Sequence, residues 1–265
     1  VSDDVNEYRI YRTWKYGRRR SQSSQSSDDT NLLLSNYNPT KAHALQQQIG
    51  GQLLSNKEIM TQAQVVFLGV KPHQLSSLLD DLKGQATPAD QTIISMAAGV
   101  NLADLTEMLP NKPIIRMMPN TPVEIGQGMT TYTTLDGQAS PLFEDLMVYA
   151  GQVTFTPESL MDAATAIAGC GPAFVYQFIE ALADAGVQNG LSRQVALNLA
   201  AQTVAGSAQM VSQTKKHPAQ LRDEVTSPGG STIAGVVALE KHGFRYAIIS
   251  AINKALKKTK KLGKN

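Results

Sequence analysis

Between about residue 31 and about residue 156, short apolar runs alternate with stretches of helical period, and beyond that point only helical periods remain. Alternation of this kind builds a parallel sheet covered by helices, because a parallel strand pair needs a crossover long enough to hold a helix. Residues 32–34, 65–70, 92–95 and 114–117 read as short buried strands. Residues 39–49, 73–82 and 102–109 read as the helices between them, the first with Pro39 at its start. Residues 130–134 and 153–155 are rich in β-formers and are candidates to extend the sheet. The change of rhythm sets a domain boundary near residue 156.

In the second half, Phe174, Phe178 and Leu182 recur every four residues beside Val175 and Ile179, while Glu180 and Asp184 take another face. That spacing predicts a core-facing helix. Gly190 marks its stop, and Ser192 is a natural cap for the next helix. The stretch from Arg193 to Val211 carries Ala200, Ala201, Ala205, Gly206 and Ala208, small residues that let helices approach closely within a chain or between subunits.

The chain has 265 residues, enough for two domains that each bury a core, and a formal charge of +2 with interspersed signs, which excludes a dedicated nucleic-acid surface. The basic run Lys254, Lys257, Lys258, Lys260 and Lys261 reads as the solvated end of a last helix, where lysines complement the negative pole of the helix dipole. Cys170 is the only cysteine, so no intrachain disulfide forms and a reducing, cytoplasmic setting is expected. No uninterrupted apolar run approaches the roughly 20 residues that span a bilayer, and no membrane partner is expected. The Ser/Gln-rich stretch after Arg18, Arg19 and Arg20 is unlike a signal peptide's apolar segment. No Cys, His, Asp or Glu spacing matches a metal site.

Residues 227–232 read Ser-Pro-Gly-Gly-Ser-Thr and lead into Ile233, Val236, Val237 and Leu239 at helical spacing. Two readings stand side by side. One is an ordinary capped turn. The other is an anion seat, since the first N–H groups of a helix lack intrahelical acceptors, carry partial positive charge, and are open to close approach where glycine precedes them.

The spacing of Pro218, Leu221, Val225, Thr226, Ser227, Gly229, Gly230, Thr232, Gly235 and Glu240 resembles the signature of the pyrroline-5-carboxylate reductase family. Val-Lys-Pro-His at 70–73, Ser-Met-Ala-Ala-Gly-Val at 95–100, Arg-Met-Met-Pro-Asn-Thr-Pro at 116–122 and Gly-Cys-Gly-Pro-Ala at 169–173 resemble its other landmarks, in the same order. The resemblance runs from about residue 32 to the end. It implies a Rossmann-like α/β dinucleotide-binding domain at 31–156, here apparently lacking its first strand and glycine turn. An all-α substrate and dimerisation domain follows at 157–265. The implied reaction is NADPH- or NADH-dependent reduction of a cyclic imine acid, 1-pyrroline-5-carboxylate, to proline by a homo-oligomer.

The same resemblance assigns residues. Gly229, Gly230 and Ser231 would seat the substrate carboxylate with their N–H groups. The hydroxyl of Thr232, the best single catalytic candidate, would face the ring nitrogen or the carboxylate, and Asn120 would lie where nicotinamide and substrate meet. Ser35 and Asn36, with Lys41 near and no acidic residue beside them, favour NADP over NAD; a polar capping loop is the competing reading. Asn56 would contact the adenosine side. Gly69, Val70, Lys71 and Pro72, and Met96, Ala97 and Ala98, would line the cofactor at strand ends. Glu224 stands where some relatives carry an amide, which leaves it a helix-end carboxylate. Cys170 replaces a serine as a packing residue, because reduction needs no covalent step. His73 reads as a first-turn helix residue, and Lys215 and Lys216 lack the context of a catalytic lysine in hydroxyacid dehydrogenases.

Residues 1–30 depart from the family. They hold one glycine, Gly17, where a Gly-x-Gly-x-x-Gly turn is expected, and their charge and Ser/Gln bias read as a disordered tail. Codons compatible with residues 7–17, read one base later, permit Asn-Ile-Gly-Phe-Ile-Gly-Leu-Gly-Asn-Met-Gly, an apolar strand and the missing turn. A reading-frame shift and a divergent natural segment are therefore both open. Loss of the turn would leave an impaired pseudoenzyme that keeps the oligomerising half.

Overall fold

The computed structural model describes residues 32–82 and 84–262. The expectations for residues 1–30, a disordered tail and a shifted reading frame, lie outside the described residues.

Strand β1 (Leu33–Leu34) pairs in parallel with β2 (Gln52–Leu53), and helix α1 (Pro39–Ile49) connects them. The bounds of α1 follow from local chemistry. The Asn38 side chain accepts the N–H groups of Thr40 and Lys41 at 3.0 and 3.3 Å, and Gly50 ends the helix at φ +69°. Helix α2 (Asn56–Gln62) begins with a reciprocal cap, Ser55 accepting from the Glu58 N–H while Glu58 accepts from the Ser55 N–H.

The main sheet has five strands in sequential order, β3 (Val65–Leu68), β4 (Thr92–Ser95), β5 (Ile114–Met118), β6 (Gly128–Thr134) and β7 (Gly151–Phe155). Strands β3, β4 and β5 are mutually parallel, β6 is antiparallel to β5, and β7 is parallel to β6. The crossovers carry α3 (Pro72–Asp81) and α4 (Leu102–Met108), with α5 (Pro141–Met147) between β6 and β7. Every residue of β4 is buried, as a central parallel strand covered on both faces requires. Ile93 and Ile114 pair in register and enter one core with Leu75, Leu79 and Leu105. Their neighbours Ile94 and Ile115 pair likewise and enter the other, with Tyr132, Phe143 and Met147. Strands β6 and β7 pair tightly at their starts: a Cβ on Gly151, at φ +130°, would collide with the Gly128 backbone.

A short 3-10 turn, Glu158–Leu160, leads into α6 (Met161–Ala168). After Phe155 all described elements are helical. The chain divides into two compact units, one reaching Cys170 and including the residues from Ala255 on, the other spanning residues 171–254. The second unit contains α7 (Gly171–Gln188), α8 (Arg193–Thr214), α9 (Pro218–Glu224), α10 (Ser231–Lys241) and the first part of α11 (Phe244–Leu262).

Helices α7 and α8 meet through small residues. A Cβ on Gly186 would lie 2.9 Å from that of Ala196, and the core there is Ala183, Ala196 and Ala200 with Ile179 against it. The Phe178 and Leu182 face expected to point into a core is open in the single chain, at 36% and 38% exposure. The helical period was legible; within the unit this face meets Phe244, whose ring centroid lies 5.8 Å from that of Phe178, and is otherwise left open. By length and composition residues 158–188 contain a stretch long and apolar enough to cross a membrane. A search for uninterrupted apolar runs misses the stretch because polar residues are spread through it.

Tyr132 carries a pH signature. It is fully buried, its hydroxyl donates to Glu144 Oε1 at 2.5 Å and accepts the Ser140 N–H at 3.1 Å, and burial first, then the bond to Glu144, pushes its pKa up to about 12. A phenol that holds its proton more tightly when folded contributes stability that is present below its unfolded pKa of about 10 and is lost as pH rises toward 12. Tyr132→Phe should cost about 1 kcal/mol at neutral pH. Urea unfolding from pH 9 to 12 should show a steeper alkaline loss in the wild type than in this variant.

Candidate functional site

The parallel strands β3, β4 and β5 bring residues 69–72, 96–99 and 119–121 to one sheet edge, their carboxyl ends, where ligands of open α/β sheets collect. Gly69 and Val70 are half-buried between β3 and α3, Pro72 opens α3, and the Lys71 backbone caps it by exchanging bonds with Gln74. After β4, Met96 is half-buried, Ala97 is 1% exposed with its N–H on Ser95 Oγ at 3.3 Å, and Ala98 is exposed. Small side chains there leave the backbone approachable. His73 is an exposed first-turn residue of α3.

Ser35 and Asn36 follow β1 in the small sheet. Asn36 Oδ1 accepts the Asn38 N–H at 2.8 Å, which shapes the turn before α1. From Leu34 to Lys41 there is no carboxylate, so this donor set of hydroxyl, amides and a lysine suits a 2′-phosphate better than a bare ribose diol. Asn56 is exposed at the first position of α2. At the edge of β5, Thr121 Oγ1 is buried without a hydrogen-bond partner among the described residues, as is Thr165 Oγ1 on α6. Unpaired buried hydroxyls are uncommon and suit a polar ligand. On these grounds the first unit fits a nicotinamide dinucleotide phosphate.

Asn120 has structural work that the sequence did not reveal. Its amide donates to the Ala168 carbonyl at the end of α6 at 3.1 Å, and its Oδ1 accepts the Met129 N–H at 2.9 Å. Arg116 was legible as the start of the family-like stretch 116–122 and as a charge within the apolar run Ile-Ile-Arg-Met-Met, but its partner was not. It is 4% exposed and pairs with Glu158 at 2.7 Å.

In the helical unit, residues 227–232 form a turn that opens α10. The Gly230 N–H bonds back to the Ser227 carbonyl at 3.1 Å, with Pro228 and Gly229, at φ +68°, in the central positions, the pattern of a type II turn. A Cβ on Gly230 would displace the Ser227 hydroxyl, and the positive φ of Gly229 is what makes the turn require glycine. The Gly230 N–H is thus spent inside the turn. No side chain caps α10, so the first-turn N–H groups of Ser231, Thr232 and Ile233 face outward without an intrahelical acceptor. Thr232 is exposed beside them. The unspent N–H groups at this helix start are therefore those of Ser231, Thr232 and Ile233, and not that of Gly230. Glu224 pairs with Lys216 at 2.7 Å, a helix-end carboxylate as expected. Cys170 is free and half-buried, and no metal-binding cluster occurs among the described residues.

Two families match. One described as pyrroline-5-carboxylate reductase dimerisation covers residues 158–262, and one described as NADP oxidoreductase, coenzyme F420-dependent, covers residues 20–99. The chain is 45% identical over 212 residues to a pyrroline-5-carboxylate reductase of Synechocystis, covering 79% of each. It is 41% identical over 236 residues to that of Pisum sativum, covering 87% of this chain and 85% of the relative. The solved Plasmodium falciparum pyrroline carboxylate reductase with NADP bound is 33% identical with a TM-score of 0.78, over 95% of this chain and 93% of that one. The Coxiella burnetii pyrroline-5-carboxylate reductase is 30% identical with a TM-score of 0.85, over 96% and 95%. A dinucleotide-type sheet edge, an uncapped helix start after Pro-Gly-Gly and these likenesses agree: the chain belongs to the pyrroline-5-carboxylate reductase family.

Proposed function

We propose that the chain reduces 1-pyrroline-5-carboxylate to L-proline with NADPH, or with NADH at lower preference. The observation that supports the substrate assignment is the uncapped start of α10, where the N–H groups of Ser231, Thr232 and Ile233 have no intrahelical acceptor and Thr232 is exposed beside them. When bound, the dinucleotide supplies a hydride to the C=N carbon of the substrate. The protein's own part is to hold and orient. Ser231, Thr232 and Ile233 bind the carboxylate, and the Thr232 hydroxyl steadies the ring nitrogen, which ends as a secondary amine after taking a proton. Ser35 and Asn36 receive the 2′-phosphate end, Asn56 the adenosine, and residues 69–72 and 96–98 the remaining length. Positioning of two rings accounts for most of what the reaction asks, since a protonated imine is already electrophilic.

Homo-oligomerisation is part of the same reading, through the helical unit. Val195, Leu199, Met210, Val237 and Ile249 lie exposed on helices α8, α10 and α11, and the dimerisation family spans these elements. A second copy suits this surface better than a bilayer. Its apolar residues are distributed over several helices and mixed with the ion pairs Asp184–Arg193, Lys216–Glu224 and Glu240–Arg245. Cytoplasmic residence is supported by the free Cys170.

One observation favours a second reading, a non-catalytic member that keeps only the oligomerising half: Gly17 is the sole glycine among residues 1–30. Titration with NADPH, followed by its fluorescence, separates the two. The reductase reading expects saturable binding and, with 1-pyrroline-5-carboxylate, proline formed mole for mole with NADPH consumed. Thr232→Val should then lower kcat/KM about tenfold, close to 1.4 kcal/mol. Asn120→Ala should act mainly on stability, since it strands the Met129 N–H and Ala168 carbonyl; a loss of about 2 kcal/mol in urea unfolding is expected.

A further inference from the structure

Arg116 is a buried charge on β5 that substrate binding leaves unused. One of its guanidinium nitrogens donates to Glu158 Oε1 at 2.7 Å, and the other lies 3.8 Å from Asp162 Oδ1. The same Glu158 oxygen accepts the N–H of Leu102, the first residue of α4, at 3.2 Å. One carboxylate oxygen thus ties together a sheet strand, the start of α4 and the lead-in to α6. An anion at a helix N-terminus is favourably placed, which offsets part of the cost of burying it.

The junction bounds a particular stretch of chain. Residues 96–101 run from the carboxyl end of β4 to α4, and they are held at one side by Ser95 Oγ on the Ala97 N–H and at the other by Glu158 on Leu102. Helix α6 is held at both ends, by Arg116 through Glu158 and Asp162 and by the Asn120 amide on the Ala168 carbonyl. Arg116 Nε and Glu158 Oε2 have no hydrogen-bond partner among the described residues. Arg116 is buried while the Glu158 side chain is 33% exposed, and a pair of this kind with unpaired polar atoms is a poor device for stability, because apolar residues of similar size hold a fold at least as well. Its value is in fixing direction.

We propose that Arg116 is a positioning residue which, through Glu158, fixes the 96–101 connection against which the part of the cofactor beyond its adenosine is placed. This rests on the cofactor reading above. The test has two arms on the full chain, comparing the wild type with Arg116→Met/Glu158→Met and with Glu158→Gln, which keeps an acceptor for Leu102 but removes the charge.

In amide hydrogen exchange, residues 96–102 and 161–168 should exchange at least about tenfold faster in the double variant, and less so in Glu158→Gln, with β3 to β5 unchanged. A uniform rise across the sheet, or no change, overturns the proposal. In the second arm, NADPH should bind about tenfold more weakly to the double variant while 2′,5′-ADP, which lacks the nicotinamide half, binds as before. Equal weakening of both overturns it. Should the double variant not fold, Glu158→Gln decides both arms by the same criteria, with smaller changes. A wild type that binds neither nucleotide refutes the cofactor reading and the role assigned to Arg116 with it, and the exchange pattern then shows only whether the junction is local.

Discussion

Residues 171–254 bury the side chains of three alanines as their core, and the character of the helical half follows from that shortage. Ordering a residue costs about 1–2 kcal/mol of backbone entropy, which a domain offsets by burying apolar surface. Alanines supply little. What they do supply is proximity: Gly186 against Ala196 lets α7 and α8 lie close, and their large side chains are left facing outward. The apolar surface that should stabilise this half is present, but it needs a partner surface. A second copy of the chain provides one of the right chemistry.

The first unit is built in the opposite way. Its parallel strands are covered on both faces, and alternate residues of β4 and β5 feed two separate cores. That rigidity makes loops useful as binding surfaces, because residues 69–72 and 96–99 leave strands whose register is fixed. The pair of buried Arg116 with half-buried Glu158 and the Asn120 amide extend the same control to α6, the last helix before the chain enters the helical unit. The two units are thus built on different principles, one around a sheet covered on both faces, the other around close-packed helices with a small core.

Local features were legible in the sequence and distant ones were not. Helix 39–49 could be bounded to the residue because Asn38, Pro39 and Gly50 are neighbours of what they cap or stop. The turn at 227–232 was readable for the same reason, though which N–H it consumes depends on the turn's folding. Short elements such as β2 and α2 carried too few residues to show a period. The structural bonds of Asn120, to partners nine and 48 residues away, could not be read from its place in the motif. The Arg116 pair spans 42 residues, a separation at which no spacing rule operates. The open face of α7 had the right period, but periodicity cannot distinguish a face packed into a core from one left largely exposed.

Concentration-dependent unfolding tests the dependence of the helical half on a second copy most directly. Urea unfolding of the full chain followed by circular dichroism, with mass from sedimentation equilibrium, should show an oligomer whose helical signal loses about 1.4 kcal/mol of stability for each tenfold dilution of a dimer. A monomer by mass, with a helical transition independent of concentration, would contradict the account. So would a helical half that folds only when lipid vesicles are added.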